Sequence, residues 1–245
     1  DPRRRWLQAH AARRQAAGVP EEVVFQAKPA IALDLIKQVL ADGVSAAPVL
    51  GDEVYGAASE LRWGLRLLGL EYFLNDGGDL LAWTKPVKTR LAKKYWGVAD
   101  KQPEPTSLAA LSKAISPAQW HPVAWRAADG TKRKTRIAFL SVYVWSDLDR
   151  DTGEWPQTWL VVDWPEGEAD PYHLYLAWLK TKPTPQRSLR LSRGRFPVEQ
   201  FFQRDKTDLG LDHYEGRSWP GFHHHLVLAA VAYLFVTVIY LRSKK

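Results

Sequence analysis

The chain has 245 residues, 46% hydrophobic and 25% charged, a composition that excludes disorder as its main state and suits one large domain or a domain with an insertion. With no cysteine, a disulfide framework, a thiolate metal site and a cysteine nucleophile are all excluded. Lys and Arg number 34 against 27 Asp and Glu, a net charge of +7 that favours polyanionic partners, and 12 tryptophans make aromatic platforms or a heavy core available.

The sequence contains no methionine and opens at Asp1, so a removed start or a piece of something longer is expected. The opening Arg3, Arg4, Arg5, Trp6 stretch is charged and helical in character, and nothing near it reads as a secretory signal. From Ile31 to Ala41 the apolar positions Ile31, Leu35, Ile36, Val39 and Leu40 recur at helical spacing and stop at Asp42-Gly43. Val44 to Leu50 then reads as a buried strand closed by Gly51, Ser59 to Leu68 as a second helix, and Leu70 to Leu74 as a second strand. Helix, strand, helix, strand implies α/β organisation with a parallel pair.

After the turn at Asp76 to Gly78 comes a Pro- and Lys-rich passage with Lys85, Lys88, Arg90, Lys93 and Lys94. Three aromatic and β-branched runs follow, Ile137 to Trp145, Gln157 to Trp164 and His173 to Leu179, with turn signals at Asp129-Gly130 and Asp151-Thr152-Gly153. They predict a mostly antiparallel segment. Helical sequence resumes after Pro185. The run Leu226 to Leu241, apolar apart from Thr237, falls short of the roughly 18 to 20 residues that span a bilayer, so a buried C-terminal helix is expected rather than a membrane anchor.

Two constellations could carry chemistry. Asp52 directly follows an apolar run in Gly51-Asp52-Glu53-Val54-Tyr55-Gly56, and the carboxyl ends of parallel strands are where ligands gather. An acidic residue in that place also serves as an ordinary helix cap. Arg195, Glu199 and Lys206, spaced by 4 and 7, fall on one stripe of a helix, although Pro197 requires that helix to start near Arg195 or to kink. An Arg–Glu pair on a solvated face would look the same. Against that stands the run Lys180, Lys182, Arg187, Arg190, Arg193 and Arg195, with no acidic residue between Asp170 and Glu199, a positive track suited to phosphates.

These residues carry a resemblance. Gly51 to Gly56 resembles the second catalytic aspartate motif of DDE-type insertion-sequence transposases, and Val24 to Pro29 is similar to the stretch before it. Arg195, Glu199 and Lys206, running on into Leu209-Gly210-Leu211-Asp212-His213-Tyr214, look like the third motif of the subgroup whose signature is Tyr, Arg, Glu, Lys; Ser192 stands where the signature has Tyr. The resemblance implies an α/β fold with an incomplete RNase H-like core (residues 1–75 and a helical part, 186–245) interrupted by a β-rich insertion (76–185). It implies DNA strand cleavage and strand transfer in transposition by an endonuclease using two Mg²⁺ or Mn²⁺ ions. Asp52 and Glu199 would be the second and third metal ligands, and Arg190, Arg193, Arg195 and Lys206 would contact DNA.

The implied partners are transposon-end DNA and a second copy on that DNA, with no membrane, in the bacterial cytoplasm at the nucleoid. The first aspartate of the family's triad has no counterpart: Asp34 falls in a predicted helix, Asp42 in a helix stop, Glu21 and Glu22 in a charged loop, and Asp1 has no strand before it. The chain is therefore expected to begin after the first strands of the core and to be catalytically incomplete. Two alternatives stand beside this reading, a non-enzymatic DNA-binding remnant and, more remotely, a membrane-associated protein.

Three smaller features complete the sequence reading. His223, His224 and His225 point in different directions on a helix and do not chelate one ion together. The middle tryptophans, among them Trp125, Trp145, Trp159 and Trp164, are expected mostly in core packing, with base stacking open to one of them. Lys132, Arg133, Lys134 and Arg136 form either a DNA contact or a solvated hairpin tip.

Overall fold

The computed structural model describes residues 10–45, 47–87, 103–127, 130–146, 155–171 and 173–243. The Lys88 to Lys94 cluster and the Asp151 to Gly153 turn lie outside them. The described residues divide into two compact units, one formed by Ala27–Gly194 and the other by the N-terminal stretch to Gln26 together with Arg195 onwards.

After helix α1 (Ala11–Ala16), which belongs to the second unit, the first unit opens with helix α2 (Lys28–Ala41), strand β1 (Val49–Gly51), the short helix α3 (Glu53–Gly56), helix α4 (Ser59–Leu67) and strand β2 (Tyr72–Asp76). There follow β3 (Leu81–Trp83), β4 (Thr106–Ser107), α5 (Leu108–Lys113), β5 (His121–Arg126), β6 (Lys132–Val144), β7 (Gln157–Pro165), β8 (His173–Trp178) and α6 (Pro185–Arg193). The eight strands form one sheet in the order β1-β2-β8-β7-β6-β3-β4, with β5 also paired to β6. Among the described strands only β1 and β2 run parallel, and the other pairings are antiparallel. The molecule is thus mixed α/β with a mostly antiparallel sheet. Strands on both sides of residue 76 share that sheet, since β2 pairs directly with β8 from Tyr72↔Trp178 to Asp76↔Leu174.

Alternation along the strands builds two cores from one sheet. Leu160, Val162, Leu174 and Leu176 point to one face with Ala138 and Val142, where Leu108 of α5 joins them. Val161, Tyr175 and Ala177 point to the other, with Phe73, Ile137 and Leu189 of α6. Helices α2 and α4 pack Leu33, Ile36, Leu61 and Leu65 against Tyr72 and Leu74. Two arginines tie α4 down: buried Arg62 donates to the Gly56 carbonyl, and half-buried Arg66 donates to the Tyr72 hydroxyl (3.1 Å) and the Gln157 carbonyl (3.1 Å). On the opposite flank Glu71 accepts from Arg187 of α6 (2.8 Å) and from the Lys180 N–H (2.6 Å).

The second unit holds α1 (Ala11–Ala16), α7 (Phe196–Leu209) and α8 (Trp219–Ser243). Pro197 sits in the first turn of α7, where a missing N–H costs nothing, so the helix starts at the proline rather than kinking over it. Gly210, at φ +70°, ends α7 in a left-handed cap whose next residue, Leu211, donates to the Asp205 carbonyl (3.0 Å). Ser218 caps α8 by accepting from the Gly221 N–H (3.2 Å), which starts that helix well before Leu226. At 25 residues, α8 is about 37 Å long, enough to cross a bilayer by length and composition.

The expectation of a buried C-terminal helix is corrected here. Only Ala229 of α8 is buried, while Leu228, Leu234, Phe235 and Leu241 are each about three-fifths exposed. The reason is geometric: α8 is apolar all the way round, whereas its described partners are few, with Phe201 of α7 meeting Tyr233 (4.7 Å between rings) and Ala17 accepting from the Trp219 N–H (2.7 Å).

Candidate active site and DNA-contact residues

Asp52 leaves the carboxyl end of β1, beside the carboxyl end of its parallel neighbour β2, and its side chain accepts from the Val54 N–H (3.1 Å) to cap α3. The residue is the helix cap that an acidic side chain in this place supplies, and it stands half-buried at the end of a parallel pair. The fit around it is close. A Cβ on Gly56 would overlap the Asn75 carbonyl oxygen of β2, so α3 lies directly against the neighbouring strand.

Asp76, at the end of β2, is buried, and burial holds its carboxyl above the usual carboxylate range. The Gly78 N–H (2.8 Å) and Arg62 oppose that shift, and Glu53 and Asp79 add to it.

On α7, Arg195 and Glu199 form an ion pair (2.7 Å), as their spacing predicts. Lys206 follows on the same face two turns later, exposed, and with no ion-pair partner among the described residues. Ser192, in the signature's Tyr position, turns its hydroxyl onto the Leu189 carbonyl (2.9 Å). The positive track before it is partly spent inside the fold: Arg187 is held by Glu71, whereas Arg190 is exposed. Arg193 stacks on the Trp125 ring (4.3 Å to its centre) and approaches the Asp163 carboxylate (3.7 Å). Asp52 belongs to the sheet-containing unit and Glu199 to the helical one.

A DDE superfamily endonuclease model matches residues 2–134, more than half of the chain. The chain belongs to this family. The match takes in Asp52 and the first strands of the sheet and stops before Glu199. No protein of curated function matches the chain. Membership makes this a DDE-type transposase catalytic domain of the endonuclease class, with DNA as its substrate, and such endonucleases generally use divalent metal ions.

Whether these residues suit such an ion has a divided answer. Carboxylate oxygens are the hard donors that Mg²⁺ and Mn²⁺ prefer. Among the described residues, however, no three His, Asp or Glu side chains are grouped to hold one, so the donor type fits and the number does not. Of the triple histidine, His225 bonds the Gly210 carbonyl (2.9 Å) and His223 packs on Trp219 (4.3 Å).

Sequence reasoning missed the group around Arg193. Asp163, only 2% exposed, accepts from the Thr135 hydroxyl through one oxygen, while its other oxygen makes no hydrogen bond and faces Arg193. His173 stands directly opposite Asp163 across the β7–β8 ladder. Burial keeps its imidazole below the ordinary value and Arg193 adds to the shift, while Asp163 and Glu168 oppose it. The only signal in the sequence was period-2 alternation, which places Thr135, Asp163 and His173 on the same face as Ile137, Val161 and Tyr175.

Proposed function

We propose that this chain is the catalytic-domain segment of an insertion-sequence transposase. It holds transposon-end DNA through phosphate contacts from Arg190, Arg193, Arg195 and Lys206, and acts at the nucleoid of a bacterial cell. Asp52 and Glu199 are two of the three carboxylates that a divalent Mg²⁺ or Mn²⁺ site needs for strand cleavage and transfer. What supports the reading is the place of Asp52: in a chain of this family, a carboxylate at the carboxyl end of the parallel strand pair is where such a ligand belongs.

Among the described residues, the carboxylates upstream of Asp52 are poorly placed to be the third. Asp34 lies inside α2 and pairs with Lys37 (3.2 Å), Asp42 follows the last turn of that helix, and Glu21 and Glu22 lie in a turn. The 245-residue chain alone is therefore expected to bind duplex DNA and not to cut it. Incubation with supercoiled plasmid and Mg²⁺ or Mn²⁺ should give no nicked product, and nicking abolished by Asp52→Ala would overturn that expectation. Binding should survive Glu199→Ala and weaken on Arg195→Ala and on Lys206→Ala, each lowering the salt slope by about 0.9. Affinity indifferent to salt and to all three substitutions would remove the DNA-contact assignment.

A further inference from the structure

Beyond the contacts already proposed, the most developed feature is a cationic notch at one end of the sheet, inside the Ala27–Gly194 unit, where Arg193 meets a basic hairpin that the proposed function does not use. It is lined by Trp125, Lys132, Arg133, Lys134, Glu166 and Arg193. Lys132, Arg133, Lys134 and Arg136 are all exposed and alternate across β6 where it pairs with β5. On one face Arg193 lies on the Trp125 ring at 4.3 Å, and on the other Arg136 lies on the Trp164 ring at 4.0 Å. Glu166 offsets part of this charge through its pair with Lys134 (3.4 Å), leaving a clear excess of cations.

A solvated hairpin tip needs no such construction. Arg193 reaches the hairpin from α6, and it is fixed there by an aromatic face on one side and by a carboxylate 3% exposed on the other. A guanidinium stacked in this way keeps its N–H edge pre-oriented, which suits the planar recognition of phosphate oxygens. With its side chain 43% exposed, Arg193 still faces solvent.

Sheet register places the notch relative to Asp52. Gly51 pairs with Leu74, Leu74 with Leu176 and Leu176 with Leu160, so β7 continues toward Asp163 at the same end of the sheet as the carboxyl ends of β1 and β2. Asp163 therefore stands three strands across from β1 at the carboxylate end, about 14 Å at the usual strand spacing. That span is about four base pairs of duplex at a 3.4 Å rise. A duplex with one phosphate beside Asp52 would carry phosphates about four base pairs along toward Asp163, with the hairpin one strand further in the same direction.

We infer that the β5–β6 hairpin and Arg193 form a second duplex-backbone contact, a notch that grips DNA phosphates to one side of the Asp52 end of the sheet. The inference rests on the proposed DNA-handling function and adds a surface separate from α7. Trp125 and Asp163 are positioning residues in it, acting through Arg193.

The test uses the full 245-residue chain and a 30-base-pair duplex of arbitrary sequence, with affinity measured by fluorescence anisotropy across a salt series. The triple variant Lys132→Gln, Arg133→Gln, Lys134→Gln should lower the slope of log K against log salt by about 2 to 3. Arg193→Gln should lower it by about 0.9. Trp125→Leu should do the same in the otherwise unaltered chain and nothing further when Arg193→Gln is already present, a non-additivity that a merely structural role does not produce. If Trp125→Leu fails to fold, the exposed triple variant and Arg193→Gln still decide the matter. An unchanged slope in both overturns the notch, and with it the Arg193 contact, while leaving the rest of the proposed function intact, provided that Arg195→Ala and Lys206→Ala still weaken binding. No DNA binding by the unaltered chain overturns both.

Discussion

The sheet of the Ala27–Gly194 unit and helix α8 are both rich in aliphatic and aromatic residues, and they place them oppositely. Leu160 and Leu176 are 0% exposed between a strand on each side and a helix above, whereas Leu234, in a helix of higher hydropathy, is 62% exposed. Apolar content decides that an element forms; burial requires a partner surface of matching extent. The two-sided sheet has one on each face and α8 has little beyond Phe201.

Truncations should separate the two regions most strongly. Leu176→Ala is expected to cost about 2 to 5 kcal/mol of unfolding free energy, because it opens a cavity between paired strands. Leu234→Ala should stay within about 0.5 kcal/mol. Urea titrations of the two variants check this, and equal losses would mean that α8 is as well packed as the sheet. An intermediate effect is expected at Asp52, where Asp52→Ala removes the cap of α3 and should cost about 1 kcal/mol, read as a lower urea midpoint without a change of slope.

The smallest effect is a pH dependence. The His173 imidazole is held below the ordinary value of about 6.5 in the folded chain. As the pH falls through 6.5, the unfolded chain takes up a proton that the folded chain does not, so stability drops until the lowered folded value is reached and is level beyond it. His173→Gln should remove this part of the decline, seen as a flatter plot of melting temperature against pH below about 6.5. An undiminished decline in the variant would assign it to other groups.

Particular residues show what was legible in the sequence. Helices α2 and α4 came through as expected, because their apolar positions recur at helical spacing and pack on Tyr72 and Leu74. The strand expected from Val44 to Leu50 shrank to Val49–Gly51, since Pro48 has no N–H to give a ladder and the small residues before it offer little to pack. Arg195 and Glu199 were readable as a pair because four residues on a helix bring them together. Arg193 and Trp125 were not, because 68 positions and three strand pairings lie between them and only the assembled sheet brings ring and guanidinium into contact. The burial of Asp205, whose carboxylate oxygens make no hydrogen bond among the described residues, was equally invisible beside exposed Lys206.

The contact between Gly56 and the Asn75 carbonyl has a consequence for how this protein can vary. Asp52 takes its height from β1, but its lateral position is a backbone-to-backbone measurement against β2, with no side chain in between to absorb error. A methyl group at position 56 would act as a wedge, tilting α3 off the sheet and carrying the carboxylate with it. The position of the Asp52 carboxylate is therefore set by a residue that has no side chain at all.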